Sequence, residues 1–409
     1  MLIYDNISLY TVIIFFIFIG LFFKFLKNKN KVNLLTVIII VITTLYIIEI
    51  YLLIDSRLTK KDIREKIYKN ETGKNFDKRN HFEIYLKEKV NSNLQITVNP
   101  ISFLNDEINL FPLSGISNSL TLYCNENGYF SYFYADKHGF NNPNEVWNNK
   151  KMTDYVLVGD SFTLGACVNP PNDISGNLRR LFNKTVINLG YGGNGPLIAY
   201  STLREYLPHI NNKNILYLFW EENELDDLTF ELKNSFLLKY YNIKDHTQNL
   251  YFRQEEIDKL NLKKIENYIS QYHDLKTNEF KTHIWQTLKL YKLRIYTKSA
   301  LHRKEKIMPN KIPEFKQLLI KFNELAKENN SNFYFVYLPT YNRYDNKFKN
   351  TIYEETIDLL NELNIQIIDI KKSFDNHPDP KNLFPFKQHA HYNVEGYKFV
   401  AENIFNIIK

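Results

Sequence analysis

The chain has only two cysteines, Cys124 and Cys167, among its 409 residues. Two cysteines are too few for the disulfide framework of a small secreted domain, and their spacing matches no zinc site. They could pair with each other outside the cytoplasm, but the sequence favours two free, buried thiols.

Clustered positive charge is also missing. The net charge of +7 and the isoelectric point of about 8.9 come from lysines that are scattered along the chain. There is no basic stripe and no motif that interleaves basic and aromatic residues, so nucleic acid is not an expected partner.

Charged residues are nearly absent from two apolar segments, residues 9–26 and 34–54, which only Lys24 and Glu49 interrupt. Each segment is close to the ~20 residues that cross a bilayer, which predicts two transmembrane helices in the inner or plasma membrane. A cleaved signal peptide is disfavoured, because Asp5 precedes the first segment and a second apolar segment follows at once. We expect Lys24 and Glu49 to reach the membrane interfaces, although an acid within a membrane can also mark function.

Two spans place both ends of the chain on one side of the membrane. Basic residues between the spans favour a cytoplasmic loop and an extracytoplasmic C-terminal domain, which we expect, whereas basic residues after the second span favour the opposite. The competing residues are Lys27, Lys29 and Lys31 in the loop, and Arg57, Lys60, Lys61, Arg64 and Lys66 after it.

The rest of the chain divides into two regions. Residues 55–150 read as a charged linker or stalk followed by a small β-containing lead-in, with a hairpin whose turn lies at residues 125–128. Residues 151–409 alternate apolar strands with amphipathic helices, which predicts a three-layer α/β/α fold with a doubly wound parallel sheet. A helical insertion interrupts this region at about 225–312; it could touch a membrane or an acidic glycan, but a solvated helical face is favoured.

The predicted strands and helices have the following bounds. The strands are at 155–158, 185–189, 215–220, 332–338 and 365–370, and the helices are near 174–182, 197–207, 313–329, 351–363 and 394–408. In such folds the functional groups gather at the carboxyl ends of the strands.

Ser161 lies in the sequence Gly-Asp-Ser, directly after the first of these strands. A strand-to-helix turn is where a serine nucleophile would be exposed, if a base and an oxyanion site converge on it. The alternative is a serine that only caps a helix. Three later segments follow in order: a glycine-rich turn with Gly190 and Gly193, a strand end with Asn223, and a C-terminal segment with His391.

This order of segments resembles the SGNH (GDSL-type) hydrolase superfamily of esterases, lipases and acyltransferases, in a membrane-anchored bacterial form with a flavodoxin-like sheet. The resemblance implies that Ser161 is the nucleophile and that His391 is the base. It also implies an oxyanion hole made by the amides of Ser161 and Gly193, with Gly190 as the fallback, and by the side chain of Asn223. Plain turn or capping roles are the alternatives for the glycines, the asparagine and the histidine.

The sequence departs from the family pattern at two places. Glutamates flank Asn223 where the family has glycine and aspartate, and Gln388 stands where the family has an aspartate that orients the histidine. Either a Ser–His dyad operates, aided by Gln388 or a backbone carbonyl, or Asp375 or Asp379 supplies the carboxylate. A zinc site formed by His377, Asp379, His389 and His391 is a disfavoured alternative.

The expected function is therefore that of a membrane-anchored serine esterase or O-acyltransferase that acts on an oxygen ester. The substrate would be an acyl ester, including acetyl groups of a cell-surface glycan, with water or a sugar hydroxyl as the acceptor. The resemblance implies neither a metal nor an organic cofactor. A non-catalytic glycan-binding or assembly protein with the same fold is the alternative, and the missing aspartate supports it.

Overall fold

The computed structural model describes residues 28–57, 60–148, 152–301, 308–345 and 352–409. The apolar segment at 9–26, which the sequence predicts to be the first transmembrane helix, lies outside the described residues. These described residues form two compact units: the smaller one contains those between 28 and 61 and between 275 and 301, and the larger one contains those between 62 and 274 and between 308 and 409.

The described elements are labelled in chain order. The strands are β1 (Leu94–Ile96), β2 (Leu120–Leu122), β3 (Tyr132–Tyr134), β4 (Thr153–Gly159), β5 (Val186–Asn188), β6 (Asn212–Trp220), β7 (Asn332–Leu338) and β8 (Gln366–Asp369). The helices are α1 (Asn28–Arg57), α2 (Lys60–Thr72), α3 (His81–Glu88), α4 (Ser161–Leu164), α5 (Ile174–Phe182), α6 (Pro196–Tyr206), α7 (Glu224–Glu231), α8 (Ser235–Asn242), α9 (Gln254–Thr277), α10 (Glu279–Leu288), α11 (Tyr291–Leu301), α12 (Pro313–Glu328), α13 (Ile352–Glu362), α14 (Ile370–Asp375) and α15 (Val394–Ile408).

The centre of the larger unit is a parallel sheet of five strands in the order β5-β4-β6-β7-β8. In chain order this is 2-1-3-4-5, the flavodoxin-like doubly wound arrangement. The predicted fold class is confirmed, and all five predicted strands form. The carboxyl ends of β4, β5 and β6 therefore lie at one edge of the sheet.

Each face of this sheet is covered by helices. Alternate strand residues such as Val156 and Tyr217 pack with α6 and α12 on one face, whereas Leu157 and Leu218 pack with α5 and α15 on the other. Because side chains alternate along a strand and both faces are buried, the central residues of the strands, such as those at 155–158 and 215–219, are apolar on both faces. The result is the three-layer architecture.

The lead-in packs on the same unit. A second sheet of three strands, β1-β2-β3, has β1 parallel to β2 and β2 antiparallel to β3. The predicted hairpin is thus confirmed, and its loop contains residues 123–131. Leu94, Leu122 and Phe133 of this sheet belong to the same buried core as α6.

In the smaller unit, α1 contains one segment, Val32–Leu53, that is long and apolar enough to cross a membrane. Its 22 residues have a length of about 33 Å at 1.5 Å per residue, against the ~30 Å thickness of the hydrocarbon core. This agrees with the second of the two predicted spans. Glu49, which the sequence predicts to reach a membrane interface, is fully buried within this unit.

Candidate active site

Ser161 begins helix α4, immediately after strand β4. Gly159 at the end of the strand has φ of +152°, and a Cβ there would lie 2.4 Å from Thr163 Oγ1 and 2.5 Å from the Leu218 carbonyl oxygen. Only glycine fits this sharp turn. The Asp160 carboxylate accepts a hydrogen bond from the Phe162 amide at 2.8 Å and caps the helix. Ser161 is thereby held in the first turn, where amide groups have no partner within the helix.

His391 lies directly against this serine. Its Nε2 is 2.8 Å from Ser161 Oγ, although 230 residues separate the two in the chain. Asn393 accepts a hydrogen bond from the Gly396 amide at 2.8 Å and caps α15, which fixes the start of the helix just after the histidine. The histidine ring also packs on the Phe162 ring, with 4.7 Å between centroids.

The carboxylate that orients His391 is Glu126, which the sequence analysis did not identify. Glu126 Oε2 accepts a hydrogen bond from the His391 backbone amide at 2.8 Å and lies 3.0 Å from His391 Nδ1. This contact favours the tautomer with a proton on Nδ1, which leaves Nε2 free to accept the Ser161 proton. The three side chains form a Ser–His–Glu array, in which Ser161 Oγ contacts Nε2 of the histidine and Glu126 Oε2 contacts Nδ1.

The electrostatic effects within this array oppose one another. Burial disfavours the charged imidazolium, but the Glu126 carboxylate outweighs burial, so the pKa of His391 is raised above its ordinary value. Burial also opposes ionisation of Glu126, yet its hydrogen bonds and attraction to His391 lower the net pKa of this carboxyl. Glu126 is therefore ionised in the pH range where His391 titrates.

Glu126 comes from the β2–β3 loop of the lead-in, and several contacts hold that loop at the site. The Asn125 side chain bonds to the Gly128 amide and the Asp77 carbonyl, and the Asn127 side chain donates to the Cys167 carbonyl at 2.8 Å. The loop is thus bonded to the segment that follows Ser161.

A disulfide joins Cys124 to Cys167, so the expectation of two free thiols is wrong. The reason is spatial: the β2–β3 loop crosses the segment after α4, which brings the two Cα atoms within 4.9 Å. Cys124 lies two residues before Glu126 and Cys167 lies six residues after Ser161. The bond therefore links the loop that carries Glu126 to the turn that carries Ser161.

The three orienting groups proposed from the sequence are bound elsewhere. The Gln388 side chain accepts a hydrogen bond from Arg64 at 3.2 Å. Asp375 is bonded to Lys371 at 2.6 Å, and Asp379 to Lys387 at 2.6 Å. None of these three contacts the His391 ring in the described part of the chain, so none of them orients the histidine.

Gly193 and Gly190 differ in whether the backbone amide is free to donate a hydrogen bond to a substrate. The Gly190 amide donates to the Asn188 side chain at 2.9 Å, and a Cβ on Gly190 would lie 2.4 Å from Thr163 Cβ. Gly190 therefore serves the packing of the turn. Gly193 has φ of +71°, and no described residue accepts a hydrogen bond from its amide. Of the two glycines, Gly193 has the amide free to face a substrate oxygen.

Asn223 lies just beyond the end of β6, at the same sheet edge as Ser161 and Gly193. Its Nδ2 donates to Asp227 Oδ2 at 2.8 Å, which leaves the second N–H of the amide for another acceptor. Burial, together with the charge of the neighbouring Asp160, raises the pKa of Asp227 to about 7. Part of the Asp227 population is thus uncharged near neutral pH, which limits negative charge beside Asn223.

A metal is not favoured by the donor atoms at the site. Glu126, Cys167 and His391 are the one group of three potential ligands that the described residues bring within 4.8 Å of one another. However, Cys167 is in a disulfide and cannot supply a thiolate. The zinc site considered from the sequence is not formed, since His389 bonds to Glu222 and Asp379 to Lys387.

No protein-family model matches the chain, and no curated protein matches it. Several solved structures are similar to the chain, and two of them are described here. The first, from Desulfitobacterium hafniense DCB-2, is described as a lipolytic protein of the G-D-S-L family; it is 16% identical, with a TM-score of 0.35 over 62% of this chain and 99% of that one. The second is the lipase/acylhydrolase from Enterococcus faecalis, 14% identical, with a TM-score of 0.35 over 63% of this chain and 95% of that one.

In the order of its four motif segments and in its five-stranded parallel sheet, the chain resembles the SGNH hydrolases.

Proposed function

We propose that the chain is a membrane-anchored serine hydrolase or O-acyltransferase of the SGNH type, which forms an acyl-enzyme on Ser161. The observation that carries this proposal is the continuous array from Ser161 Oγ through His391 to Glu126, with contacts of 2.8 and 3.0 Å. A helix-capping serine would need neither a histidine nor a carboxylate behind it.

The reaction follows from this array. Ser161 Oγ attacks the acyl carbonyl carbon while His391 Nε2 takes its proton, and Glu126 stabilises the imidazolium that forms. The carbonyl oxygen becomes an oxyanion that the amides of Ser161 and Gly193 and the Asn223 side chain stabilise. His391 then protonates the leaving alcohol, and the acyl group remains on Ser161 as an ester.

The second half of the reaction needs a hydroxyl acceptor. Water would give an esterase, and a sugar hydroxyl would give a transferase, with His391 again taking the proton. A polar cluster at the same sheet edge suits a hydroxyl-rich acceptor, since Glu222 bonds to His389 at 2.9 Å and to Asn342 at 3.0 Å. We therefore propose a glycan, with its acetyl groups, as the substrate or acceptor.

The proposed location is the extracytoplasmic side of the membrane. The charged residues around the apolar segments favour neither side clearly, but the Cys124–Cys167 disulfide favours an oxidising compartment. A C-terminal alkaline phosphatase fusion tests this location: an active fusion is expected, and an inactive fusion beside an active cytoplasmic reporter fusion would contradict it.

Labelling with a fluorophosphonate probe tests the nucleophile. We expect the full chain to be labelled, and Ser161→Ala to remain unlabelled with an unchanged thermal unfolding curve. Ser175→Ala, which alters a buried serine on α5, is the matched control and should keep the label. A folded wild-type chain that stays unlabelled would instead favour the non-catalytic binding protein.

The acceptor is tested with an aryl acetate, offered with and without an oligosaccharide. Acetylated sugar as a product would identify a transferase, and free acetate alone would identify an esterase.

A further inference from the structure

In the smaller unit, two helices are fixed to the apolar helix α1 by hydrogen bonds. Glu49, fully buried, accepts from the Lys292 and Leu293 amides at 2.9 and 2.7 Å. These amides lie in the first turn of α11, where N–H groups lack helical partners and favour a negative charge. Tyr46 donates to the Leu288 carbonyl at 3.1 Å, at the end of α10. The junction of α10 and α11 is therefore held against α1.

The positions of Glu49 and Tyr46 along α1 determine how far these hydrogen bonds lie from the end of the apolar segment. Glu49 lies four residues, and Tyr46 seven residues, before Leu53, which ends the apolar segment. At 1.5 Å per residue, these are depths of about 6 and about 10 Å from that end. Interfacial helices bury their apolar face by about 5 to 10 Å at the boundary of headgroups and acyl chains. If α1 crosses a bilayer, α10 and α11 meet it at this boundary.

The outer surface of α10 and α11 is apolar and aromatic. The exposed side chains are Ile284, Trp285, Leu288, Tyr291, Ile295 and Tyr296. Exposing a patch of large apolar side chains to water is unfavourable in free energy, and such patches mark interaction sites. A solvated helical face, which the sequence favours for this segment, does not account for them.

A groove of about 810 Å³ lies between the two helices. We call it the α10–α11 groove; its lining includes Lys281, Trp285, Lys289, Tyr291, Arg294, Ile295 and Lys298. None of its four cations is in an ion pair within the described part of the chain. Residues 278–301 contain five lysines and arginines against one glutamate. The groove thus offers positive charge beside apolar and aromatic surface.

We propose that the α10–α11 groove binds an anionic phospholipid at the membrane interface. The cations would contact the headgroup phosphate, and Trp285 and Ile295 the upper part of the acyl chains. An acidic glycan would satisfy the cations but not the apolar side chains at this depth. This inference depends on α1 lying in a bilayer and is independent of the chemistry at Ser161.

Depth measurement by spin labelling tests the location. Because both native cysteines are in a disulfide, an introduced cysteine can be labelled selectively in the full chain. Ile284→Cys and Ile295→Cys are compared with Phe252→Cys, which is 73% exposed in the larger unit, in nanodiscs of phosphatidylcholine and phosphatidylglycerol. We expect the first two labels to be accessible to oxygen and protected from a water-soluble nickel complex. If the labels at positions 284 and 295 were as accessible to oxygen and to the nickel complex as the label at position 252, the proposal would be overturned.

Lipid selectivity tests the charge of the groove. The variant Lys289→Gln/Arg294→Gln/Lys298→Gln is compared with Lys213→Gln/Lys259→Gln/Lys263→Gln, which loses the same charge from exposed positions elsewhere. Native mass spectrometry of chains released from equal mixtures of the two lipids counts the molecules retained. We expect the preference for phosphatidylglycerol to fall at least about tenfold in the groove variant only, since each basic residue near an anionic surface contributes severalfold. An equal fall in both variants, or none in either, would overturn the proposal.

Discussion

Replacing Glu126 by glutamine removes one charge from the catalytic array and almost no volume. Glu126 Oε2 accepts from the His391 backbone amide and faces Nδ1. A glutamine oxygen can still accept both hydrogen bonds, so the loop and the histidine should keep their positions. What is lost is the negative charge beside the imidazolium that forms as Ser161 attacks.

The size of the effect follows from the distance. Opposite unit charges about 3 Å apart attract by roughly 5 kcal/mol at an effective dielectric constant of about 20. Each side chain of the pair keeps about a quarter of its exposure, so solvent reduces this value. An effect of about 3 to 5 kcal/mol corresponds to roughly a 10²- to 10⁴-fold loss in turnover. The upper end equals the loss when the orienting aspartate of serine proteases becomes asparagine.

The assay is steady-state hydrolysis of an aryl acetate by the full chain, measured over a range of pH. We expect kcat of Glu126→Gln to fall 10²- to 10⁴-fold with little change in KM. Glu126→Asp keeps the charge and should retain more activity, and Glu107→Gln, at an exposed position, should behave as the wild type.

The pH profile gives a second signature of the same change. Glu126 raises the pKa of His391, and only the neutral imidazole can accept the serine proton. Removing the charge lowers that pKa, so the acid limb of kcat/KM should move to lower pH while the plateau falls. Activity within about threefold of wild type, or an acid limb that does not move, would refute the role assigned to Glu126.

Three other changes test the remaining parts of the site. Gly193→Ala places a Cβ 2.8 Å from Ile101 Cγ2 and should lower kcat at least about tenfold, because it displaces an oxyanion donor. Gly73→Ala is the control: Gly73 has a similar φ of +69° but lies in open space, so this variant should strain the backbone equally and keep its activity. Asn223→Ala should lower kcat by about 10² with KM nearly unchanged, and an unchanged kcat would exclude it from the oxyanion hole. Cys124→Ala/Cys167→Ala opens a loop closed across 43 residues and should lower the free energy of unfolding by about 4 kcal/mol. It should also lower kcat, by loosening the loop of Glu126, and a stable variant with full activity would contradict that link.

The strands of the five-stranded sheet and the helices that cover it could be predicted from the sequence, because the signals for these elements are local. The helix at 394–408 has the predicted bounds, since Asn393 caps it and its apolar positions repeat at helical spacing. The strand at 332–338 also has the predicted bounds, because residues 333–338 are all apolar or aromatic. Such patterns are complete within a few residues.

Glu126 could not be found in this way. It precedes Ser161 by 35 residues and lies in a loop of a different sheet, so no spacing rule connects it to His391. The one available signal was the pair of cysteines near Glu126 and Ser161, and this signal becomes useful only once the two are known to pair. Gln388, beside the histidine in the sequence, is instead bound by Arg64 from helix α2.

The central claim is that Ser161 carries the acyl group during turnover. Rapid acid quenching of the full chain with an aryl acetate, followed by peptide mass spectrometry, tests this claim most directly. The account predicts one added acetyl group on the peptide that contains Ser161, absent in Ser161→Ala and reduced in Glu126→Gln. Turnover of the ester by a chain whose Ser161 peptide never carries the acetyl group, or undiminished turnover by Ser161→Ala, would contradict it.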